Sequence, residues 1–544
     1  MTAHMSMYEF LTRERHAKDW DSWNAVVCFG KRLKFGRLIA GIDGIAYYLS
    51  KNGIKKGDGV AICLPNIPPA VMAFYAVNKC GAVANIIHPM ISEYGLLNII
   101  KKTAPKLIFI ADIFYEKYKT VLSDIGIAVV VCPMNKYASP IIKIGIAAKK
   151  AKEKVLPIAY GGKVARFADT IKKRGRVDVC TGGGDVAAYL HSGGTTGESK
   201  TIVLSNYAIN AVAINATAGL GCSIENDAGF MVLPIFHGFG LAINMHAALG
   251  FGCRIVMLPK FTVKEAVRII KKEKISFIVG VPTMYEKLLN DKRFRRLSCK
   301  NFRFLICGGD SLNPVFREKF DAHVASRGGK ARLLEGYGLT EIVTVSSFNT
   351  PSQYRAGSVG KPILGVEAKI VDDNGIELPR GSYGEILLSG PGLMEGYYND
   401  EITTNEVIKT DENGKRWLKT GDCGLIDDDG FIFFKDRIKR MIIIAGVNIF
   451  PSEIEEVVSL MPEIKMCCAV EGRTKENKII IKLFVVLNDG YKYSLTLENK
   501  IIKTCADNLI KFAVPGKVIA KKSLPVTIVG KVNYRLVEQM NDEE

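Results

Sequence analysis

Apolar and polar residues alternate along most of the chain in segments typical of short buried strands and amphipathic helices. Residues 38–50 predict an amphipathic helix, residues 59–64 a buried strand and residues 68–79 a second helix. Further apolar runs predict strands at residues 81–87, 106–111, 129–132, 228–233, 254–258, 275–279 and 304–307. This alternation predicts an α/β fold with several layers in a large N-terminal domain.

The pattern changes at about residue 359. From there to residue 436, short apolar runs are separated by Asp-Asn-Gly, Pro-Arg-Gly and Asp-Asp-Gly turns. Closely spaced turns of this kind predict a β-rich subdomain. We therefore expect an N-terminal domain over residues 1–436 and a small, mobile α+β domain over residues 437–544.

Within residues 437–544, helix and strand patterns follow each other closely. Residues 452–461 predict a helix, with Ser452 as its N-cap and three glutamates favouring its positive end. Apolar runs at residues 466–470 and 479–487 predict strands. A compact C-terminal unit is the consequence.

Composition bounds the class of protein without identifying it. The 544 residues are 48% hydrophobic and 24% charged, which is ordinary for a globular chain of two or three domains. The 13 cysteines include no C-x-x-C pair, so we expect free thiols in a reducing, cytoplasmic setting. No apolar run approaches the ~20 residues of a membrane-spanning helix, and residues 1–20 lack the pattern of a signal peptide.

The formal net charge of +19 favours association with negatively charged molecules. Much of the excess lies in residues 141–176, where lysines and arginines are interleaved with apolar residues. We favour a solvated surface on an enzyme whose substrates are all anions. Peripheral contact with a membrane through residues 141–176 is the second hypothesis. Nucleic acid is not expected, since the chain contains no recognition module.

The strongest local motif is His191-Ser-Gly-Gly-Thr-Thr-Gly-Glu-Ser-Lys200. Its glycines, Gly197 among them, let backbone N–H groups approach an anion closely. Thr195 and Thr196 add hydroxyl donors, and Lys200 adds a point charge suited to a terminal phosphate. It is not a Walker P-loop, because Lys200 does not follow Gly197 directly. Taken alone, the motif fits a phosphate loop and an ordinary surface turn equally well.

Two further segments contribute polar groups that a nucleotide needs. In residues 335–341, an aromatic ring between two glycines suits a purine, and a carboxylate suits Mg²⁺; the residues are Glu335, Gly336, Tyr337, Gly338, Thr340 and Glu341. Asp422, after Thr420 and Gly421, offers a carboxylate to ribose hydroxyls. Taken alone, each segment also fits an ordinary turn.

Taken in order, these segments resemble the adenylate-forming superfamily of acyl-CoA synthetases, firefly luciferase and peptide-synthetase adenylation domains. The resemblance covers nearly the whole chain and rests on five motifs, at residues 194–200, 336–341, 420–422, 437–455 and 525–535. The phosphate loop departs from the family pattern, with Gly193, Ser199 and Thr201 in place of serine, proline and glycine. Ile443 stands where luciferase-like members have lysine, and fatty-acid ligases commonly have an aliphatic residue there.

The resemblance implies two half-reactions. The acid attacks the α-phosphate of ATP with release of pyrophosphate, and the acyl-adenylate then passes to the thiol of coenzyme A. Lys531 would bridge the carboxylate and the α-phosphate, Thr340 would touch that phosphate, and Glu341 would hold Mg²⁺. Tyr337 would lie against the adenine, and the ribose would meet Asp422 with Arg437 beside it. The C-terminal domain would rotate about Lys439, and Gly446 would line the thiol tunnel.

The acid is expected to be apolar, with a medium-length or long chain. The acyl pocket should lie between residues 236–240, 307–309 and 336–343, where Gly309 and other glycines keep the walls thin. His237 resembles the family's gate residue at the pocket mouth. Aryl or bile-type acids, and an acceptor other than coenzyme A, remain alternatives. The sequence leaves the oligomeric state open.

Other classes within and beyond the family fit less well. A carrier-loading module lacks its carrier domain after Lys531, and Ile443 argues against a luciferase-like oxygenase. A non-catalytic homologue is disfavoured because the motif lysines, Glu341 and Asp422 are all present. An acid–thiol ligase is therefore the function that the sequence favours.

Overall fold

The computed structural model describes residues 3–134, 136–137, 158–192, 200–444, 447–474, 478–526 and 532–540. Two mainly parallel sheets form its larger part. The first has eight described strands, in the spatial order Gly396–Tyr397, Thr201–Ser205, Val186–His191, Val83–Ile86, Gly59–Cys63, Leu107–Ala111, Ala128–Cys132 and Val164–Arg166. The second has nine, in the order Lys361–Pro362, Ser347–Phe348, Leu333–Tyr337, Phe304–Gly308, Phe277–Gly280, Ala228–Met231, Arg254–Met257, Asn24–Cys28 and Lys31–Lys34.

Helices cover both sheets and pack with them around one large apolar cluster and two smaller ones. Phe35–Lys51 buries Leu38, Ile42, Ile45 and Leu49 on one face, as its sequence pattern predicts. Pro68–Lys79 is buried all round, because it lies between layers. The other described helices of this region are Met7–Thr12, Glu93–Thr103, Asp112–Ile125, Phe167–Thr170, Asn206–Gly219, Ala248–Gly250, Val263–Glu273, Pro282–Asn290, Lys292–Arg295, Pro314–Ser326 and Glu401–Val407.

One helical segment departs from α geometry. Residues Phe239–Ala247 form a π-helix, a wide-turned and rare conformation that is frequent at functional sites. Short 3₁₀ turns occur at Trp20–Ser22, Thr340–Ile342, Ile438–Arg440 and Lys511–Ala513. The sequence pattern does not separate a π-helix from an α-helix, because both place apolar residues three to five apart.

The predicted β-rich subdomain is a five-stranded antiparallel sheet. Its strands are Glu367–Val371, Gly384–Ser389, Arg416–Ile426, Ile408–Thr410 and Ile432–Arg437. Gly375 and Gly430 have φ of +82° and +87°, which glycine adopts without strain, so the turns that the sequence predicts are present. The last strand leads directly into the C-terminal unit.

Residues beyond Met441 form an apolar core of their own, around Ile454, Leu483 and Ile501. The unit consists of the hairpin Ile442–Ile444 and Val447–Ile449, the sheet Ile464–Arg473, Ile479–Leu487 and Lys517–Ala520, and the helices Pro451–Ser459, Leu495–Asn508 and Tyr534–Glu538. The prediction that Ser452 caps the first helix is wrong. That helix begins at Pro451, and the Ser452 hydroxyl instead donates to the Lys435 carbonyl at 2.9 Å.

Several expectations about the surface are also answered. All thirteen cysteines are free thiols, and only Cys180 and Cys222 are exposed. Of the basic segment, residues 141–157 lie outside the described residues, while Lys172, Lys173 and Arg174 are exposed. Within the described ranges, no helix is both long and apolar enough to cross a membrane.

Candidate active site

A cleft of about 1550 Å³ lies between the larger part of the molecule and its C-terminal unit. It gathers twelve of the predicted site residues on one surface: Lys200, His237, Gly309, Glu335, Gly336, Tyr337, Gly338, Thr340, Glu341, Asp422, Arg437 and Lys439. The other five, Thr195, Thr196, Gly197, Gly446 and Lys531, lie outside the described residues. Segments separated by hundreds of positions in the sequence therefore converge here.

The segment after strand Leu333–Tyr337 turns sharply into this cleft. A side chain at Gly338 would place its Cβ 2.2 Å from the Thr344 carbonyl oxygen, so only glycine fits there. Val343 and Thr344 follow in the left-handed region, with φ of +51° and +74°. β-branched residues rarely adopt this conformation, and such strain is concentrated at functional sites.

Tyr337 and Arg437 both contact the carboxylate of Asp422, which is buried, while the Arg437 side chain is 52% exposed. The Tyr337 hydroxyl donates to Asp422 Oδ2 at 2.6 Å, and Arg437 Nε lies 2.8 Å from Asp422 Oδ1. The interpretation of Asp422 as a turn residue is wrong, because it lies within strand Arg416–Ile426 and pairs with Arg437. Burial, and then the Asp422 charge, raise the pKa of Tyr337 well above its usual value. Tyr337 therefore stays a hydrogen-bond donor to this carboxylate.

Lys200 and Glu341 meet through Tyr397, which the sequence analysis did not single out. Lys200 Nζ lies 4.6 Å from the centre of the Tyr397 ring, a cation–π contact. The Tyr397 hydroxyl donates to Glu341 Oε1 at 3.0 Å. The Ser192 N–H donates to the Lys200 carbonyl at 3.0 Å, so the two ends of the 193–199 segment are held together. A cation and a carboxylate thus share one side of the cleft.

Glu335 is a carboxyl group with an unusual environment. Burial raises its pKa to about 7, and the nearby Arg317 opposes this rise. Arg317 Nη1 is 3.9 Å from Glu335 Oε1, and the Arg317 side chain is only 5% exposed. Sequence reasoning missed Arg317, because nothing in helix Pro314–Ser326 marks it as part of a site.

The connection between the two units is tied on both sides of Lys439. Asp436, before it, accepts from the Ser452 N–H at 2.9 Å and is 2% exposed. Arg440, after it, forms an ion pair with Glu455 at 2.5 Å. Lys439 itself lies in the 3₁₀ turn Ile438–Arg440 between these contacts. Contacts of Asp436 and Arg440 with the helix Pro451–Ser459 therefore fix the connection on both sides of Lys439.

Part of the cleft is lined by apolar residues that follow His237 in the chain or come from neighbouring elements, and we call this part the apolar arm. These residues come from the segment that follows helix Asn206–Gly219, from the π-helix and from strand Phe277–Gly280. They include Leu220, Ile224, Phe239, Ile243, Ala247 and Phe277. The sequence analysis placed Phe239 here but missed the other five. No motif marks these five residues, because their place in the cleft comes from the packing of elements that are distant in the sequence.

Val526 and Val532 form an antiparallel bridge, and both line the cleft. They are the described neighbours of the segment that contains Lys531. Among the described residues, no group of three or more histidine, cysteine or acidic side chains is arranged to hold a metal ion.

Comparison with known proteins identifies the family to which the chain belongs. Residues 13–398 match the family model described as AMP-binding enzyme, and residues 453–531 match the AMP-binding enzyme C-terminal domain. The chain belongs to the AMP-binding enzyme family. It is an acid–thiol ligase of the adenylate-forming superfamily, as its motifs predict.

Relatives of this AMP-binding enzyme carry two kinds of name. A long-chain-fatty-acid–CoA ligase of Escherichia coli O6:H1 is 30% identical, over 95% of this chain and 91% of that protein. One of Bacillus subtilis is 29% identical over the same shares. A probable 4-coumarate–CoA ligase 3 of Dictyostelium discoideum is 29% identical, over 92% of this chain and 89% of that protein.

Solved structures confirm the predicted fold of the AMP-binding enzyme. The anthranilate CoA ligase AuaEII in complex with anthranoyl-AMP superposes with a TM-score of 0.85 at 20% identity, covering 99% of this chain and 98% of that one. ATP-bound MatB from Rhodopseudomonas palustris gives 0.84 at 23% identity, covering 99% of both chains. At these identities the likeness supports the α/β architecture alone.

Proposed function

We propose that this enzyme activates an apolar carboxylic acid, a medium- or long-chain fatty acid, to its acyl-adenylate and transfers the acyl group to coenzyme A. The observation that carries the proposal is the apolar arm beside His237. Its lining residues Ile243, Ala247 and Phe277 are apolar, while the carboxyl groups of Glu286 and Asp310 line the same cleft. Burial of aliphatic surface contributes about 0.8 kcal/mol per methylene group.

The names of the relatives support the same acid class, and they also keep an alternative open. Fatty-acid–CoA ligases and a probable 4-coumarate–CoA ligase match with nearly equal identity. An aryl or bile-type acid is therefore the second candidate for this site. A thiol acceptor other than coenzyme A is the alternative for the second half-reaction.

In this proposal the nucleotide lies along the polar side of the cleft. Asp422, held by Arg437, accepts the ribose hydroxyls, while Tyr337 and Glu335 lie on the adenine side. Thr195, Thr196, Gly197 and Lys200 hold the β- and γ-phosphates, since phosphates bind where backbone N–H groups and a lysine converge. His237 lies at the mouth of the acyl arm.

Glu341 is the residue that fits Mg²⁺. Its carboxylate faces the cleft, and only one of its oxygens is occupied by the Tyr397 hydroxyl among the described contacts. Mg²⁺ is usually held by one or two carboxylates together with substrate phosphates. When bound there, the ion would neutralise phosphate charge during displacement.

The two half-reactions are proposed to use different arrangements of two domains, residues 1–436 and 437–544. Lys531, whose neighbours Val526 and Val532 line the cleft, would neutralise charge between the acid and the α-phosphate. Rotation about Lys439 would then withdraw Lys531 and bring Gly446 towards the adenylate. The exposed hairpin residue Ile443 moves with this unit.

A panel of acids tests the proposal. The purified enzyme is given ATP, Mg²⁺ and coenzyme A with aliphatic acids of increasing length, aryl acids or bile acids. Pyrophosphate release and thioester mass are both recorded. We expect both products with medium- or long-chain fatty acids. Products with aryl acids alone would overturn the acid class, and pyrophosphate without a thioester would overturn coenzyme A as acceptor.

A further inference from the structure

The N-terminal segment, residues 3–12, packs behind two elements that wall the apolar arm. We name this segment the N-terminal brace. Helix Asn206–Gly219 carries Ala216 and Thr217 to the cleft, while its other end contacts the brace. The π-helix Phe239–Ala247 likewise has a cleft side and a brace side. The brace therefore touches both walls without reaching the cleft.

Asparagine side chains bind the brace through its backbone. The Met7 N–H donates to Asn206 Oδ1 at 3.1 Å. Asn210 Nδ2 donates to the carbonyl oxygens of Ala3 and Met5 at 3.1 and 2.8 Å. Both asparagines are fully buried. Buried amides with these partners fix the position of the brace against helix Asn206–Gly219.

Asn210 also forms a hydrogen bond with a residue of the π-helix, His246. Because Asn210 Nδ2 faces two carbonyl oxygens, its Oδ1 is the acceptor on the other side, and His246 Nε2 donates to it at 2.8 Å. His246 Nδ1 then accepts from the Tyr75 hydroxyl at 2.9 Å. Burial lowers the pKa of His246 to about 3, so the ring carries a single proton. In the series of hydrogen bonds from Tyr75 through His246 to Asn210, every donor therefore has an acceptor.

His246 holds the part of the π-helix that lies farthest from the mouth of the arm. The cleft-facing residues Phe239, Ile243 and Ala247 succeed each other away from His237, and His246 is the neighbour of Ala247. The Phe10 ring of the brace packs on His246 with centroids 4.8 Å apart. π-Helices are rare and are frequent at functional sites.

We propose that Tyr75, His246 and Asn210 are positioning residues for the acyl chain, which couple the N-terminal brace to the inner wall of the apolar arm. The inference rests on the proposed function, because it takes this arm as the acyl site. A short acid ends near His237 and Phe239 and does not reach this wall. A long acid packs along Ile243 and Ala247, so its binding depends on the brace.

Two conservative variants break the chain of hydrogen bonds at different points. Tyr75→Phe removes one hydroxyl and leaves His246 Nδ1 without its donor. Asn210→Asp keeps an acceptor for His246 but sets a carboxylate against the carbonyl oxygens of Ala3 and Met5. Tyr118→Phe is the matched control, because its buried hydroxyl donates to the Pro89 and Ile91 carbonyl oxygens and none of these three residues lines the cleft.

The measurement is KM for a long-chain acid, for a short-chain acid and for ATP in each variant, with thermal melting as a check of folding. We expect Tyr75→Phe and Asn210→Asp to raise KM for the long acid about tenfold, the scale of one lost buried hydrogen bond. KM for the short acid and for ATP should stay within about twofold. Tyr118→Phe should leave all three unchanged.

Two results would overturn the inference. One is an unchanged long-acid KM in Tyr75→Phe, which decides the matter if Asn210→Asp fails to fold. The other is an equal rise in all three KM values, which would indicate a general structural role. Failure of the wild-type enzyme to activate either aliphatic acid would instead overturn the proposed function, and the inference with it.

Discussion

Single residues at the cleft show how far local sequence reaches. Asp422 and Tyr337 were both recognisable from their motifs, yet their mutual hydrogen bond joins strands 85 positions apart. Arg317 and Tyr397 had no motif to mark them, because their relevance comes only from which side chains they meet. Site residues that lie within glycine-containing motifs could be predicted from the sequence. Their partners from distant segments could not.

Glu335 yields a prediction at this scale. Its pKa rises from 4.5 to about 7 on folding, so the folded state holds its proton where the unfolded state has lost it. Its contribution to stability is therefore complete below about pH 4.5 and is lost as the pH rises through 7. We expect wild type to lose up to roughly 3 kcal/mol relative to Glu335→Gln across this window.

Urea denaturation at pH 5 and pH 8 measures this difference, with Glu367→Gln at an exposed site as the control. Parallel pH profiles for wild type and Glu335→Gln would show that the carboxyl group is ionised in the folded protein at both pH values.

At the scale of elements, the strands and helices that periodicity predicted all lie within a few residues of observed ones, although most of the described helices were not predicted. The helix Pro68–Lys79 has the predicted bounds, since proline starts it and a glycine turn follows it. The misassigned cap at Ser452 has a physical cause. Pro451 already occupies the first helical position, and Asp436 from the preceding strand accepts the Ser452 N–H in place of a local cap.

The turn after strand Leu333–Tyr337 gives a prediction for an element. Gly338→Ala would place a methyl group 2.2 Å from the Thr344 carbonyl oxygen. The other nearest atoms also belong to the backbone, so a side-chain rotation cannot relieve the clash. We expect a loss of stability above about 2 kcal/mol, together with loss of adenylation. Thermal melting and pyrophosphate release measure the two effects.

Gly184→Ala is the control, because nothing lies within 4 Å of a Cβ at that position. A Gly338→Ala enzyme with wild-type melting temperature and activity would contradict the close approach that the structure describes.

At the scale of the whole molecule, the order of motifs predicted the fold and the family, because five separated segments must converge on one ligand. The shape of the apolar arm could not be predicted from the sequence. It depends on how two sheets and the helices between them pack, which no local pattern encodes. The fold is therefore better specified by the sequence than the acid is.

The proposed division of labour between domains predicts opposite variants. Lys531→Ala should abolish acyl-adenylate formation from the free acid and leave thioester formation from supplied acyl-adenylate largely intact, since only the first step needs its charge. Lys439→Pro should do the reverse by restricting backbone rotation at the connection. The two half-reactions are assayed separately in each variant. Equal loss of both in Lys531→Ala, or normal thioester synthesis by Lys439→Pro, would refute the division.

The most direct test of the central claim is exchange of radiolabelled pyrophosphate into ATP. An enzyme that forms an acyl-adenylate reversibly catalyses this exchange without any thiol present. We expect label to appear in ATP only when a medium- or long-chain fatty acid is added, with coenzyme A omitted. Formation of ADP and phosphate without exchange would contradict adenylation as the chemistry of this site.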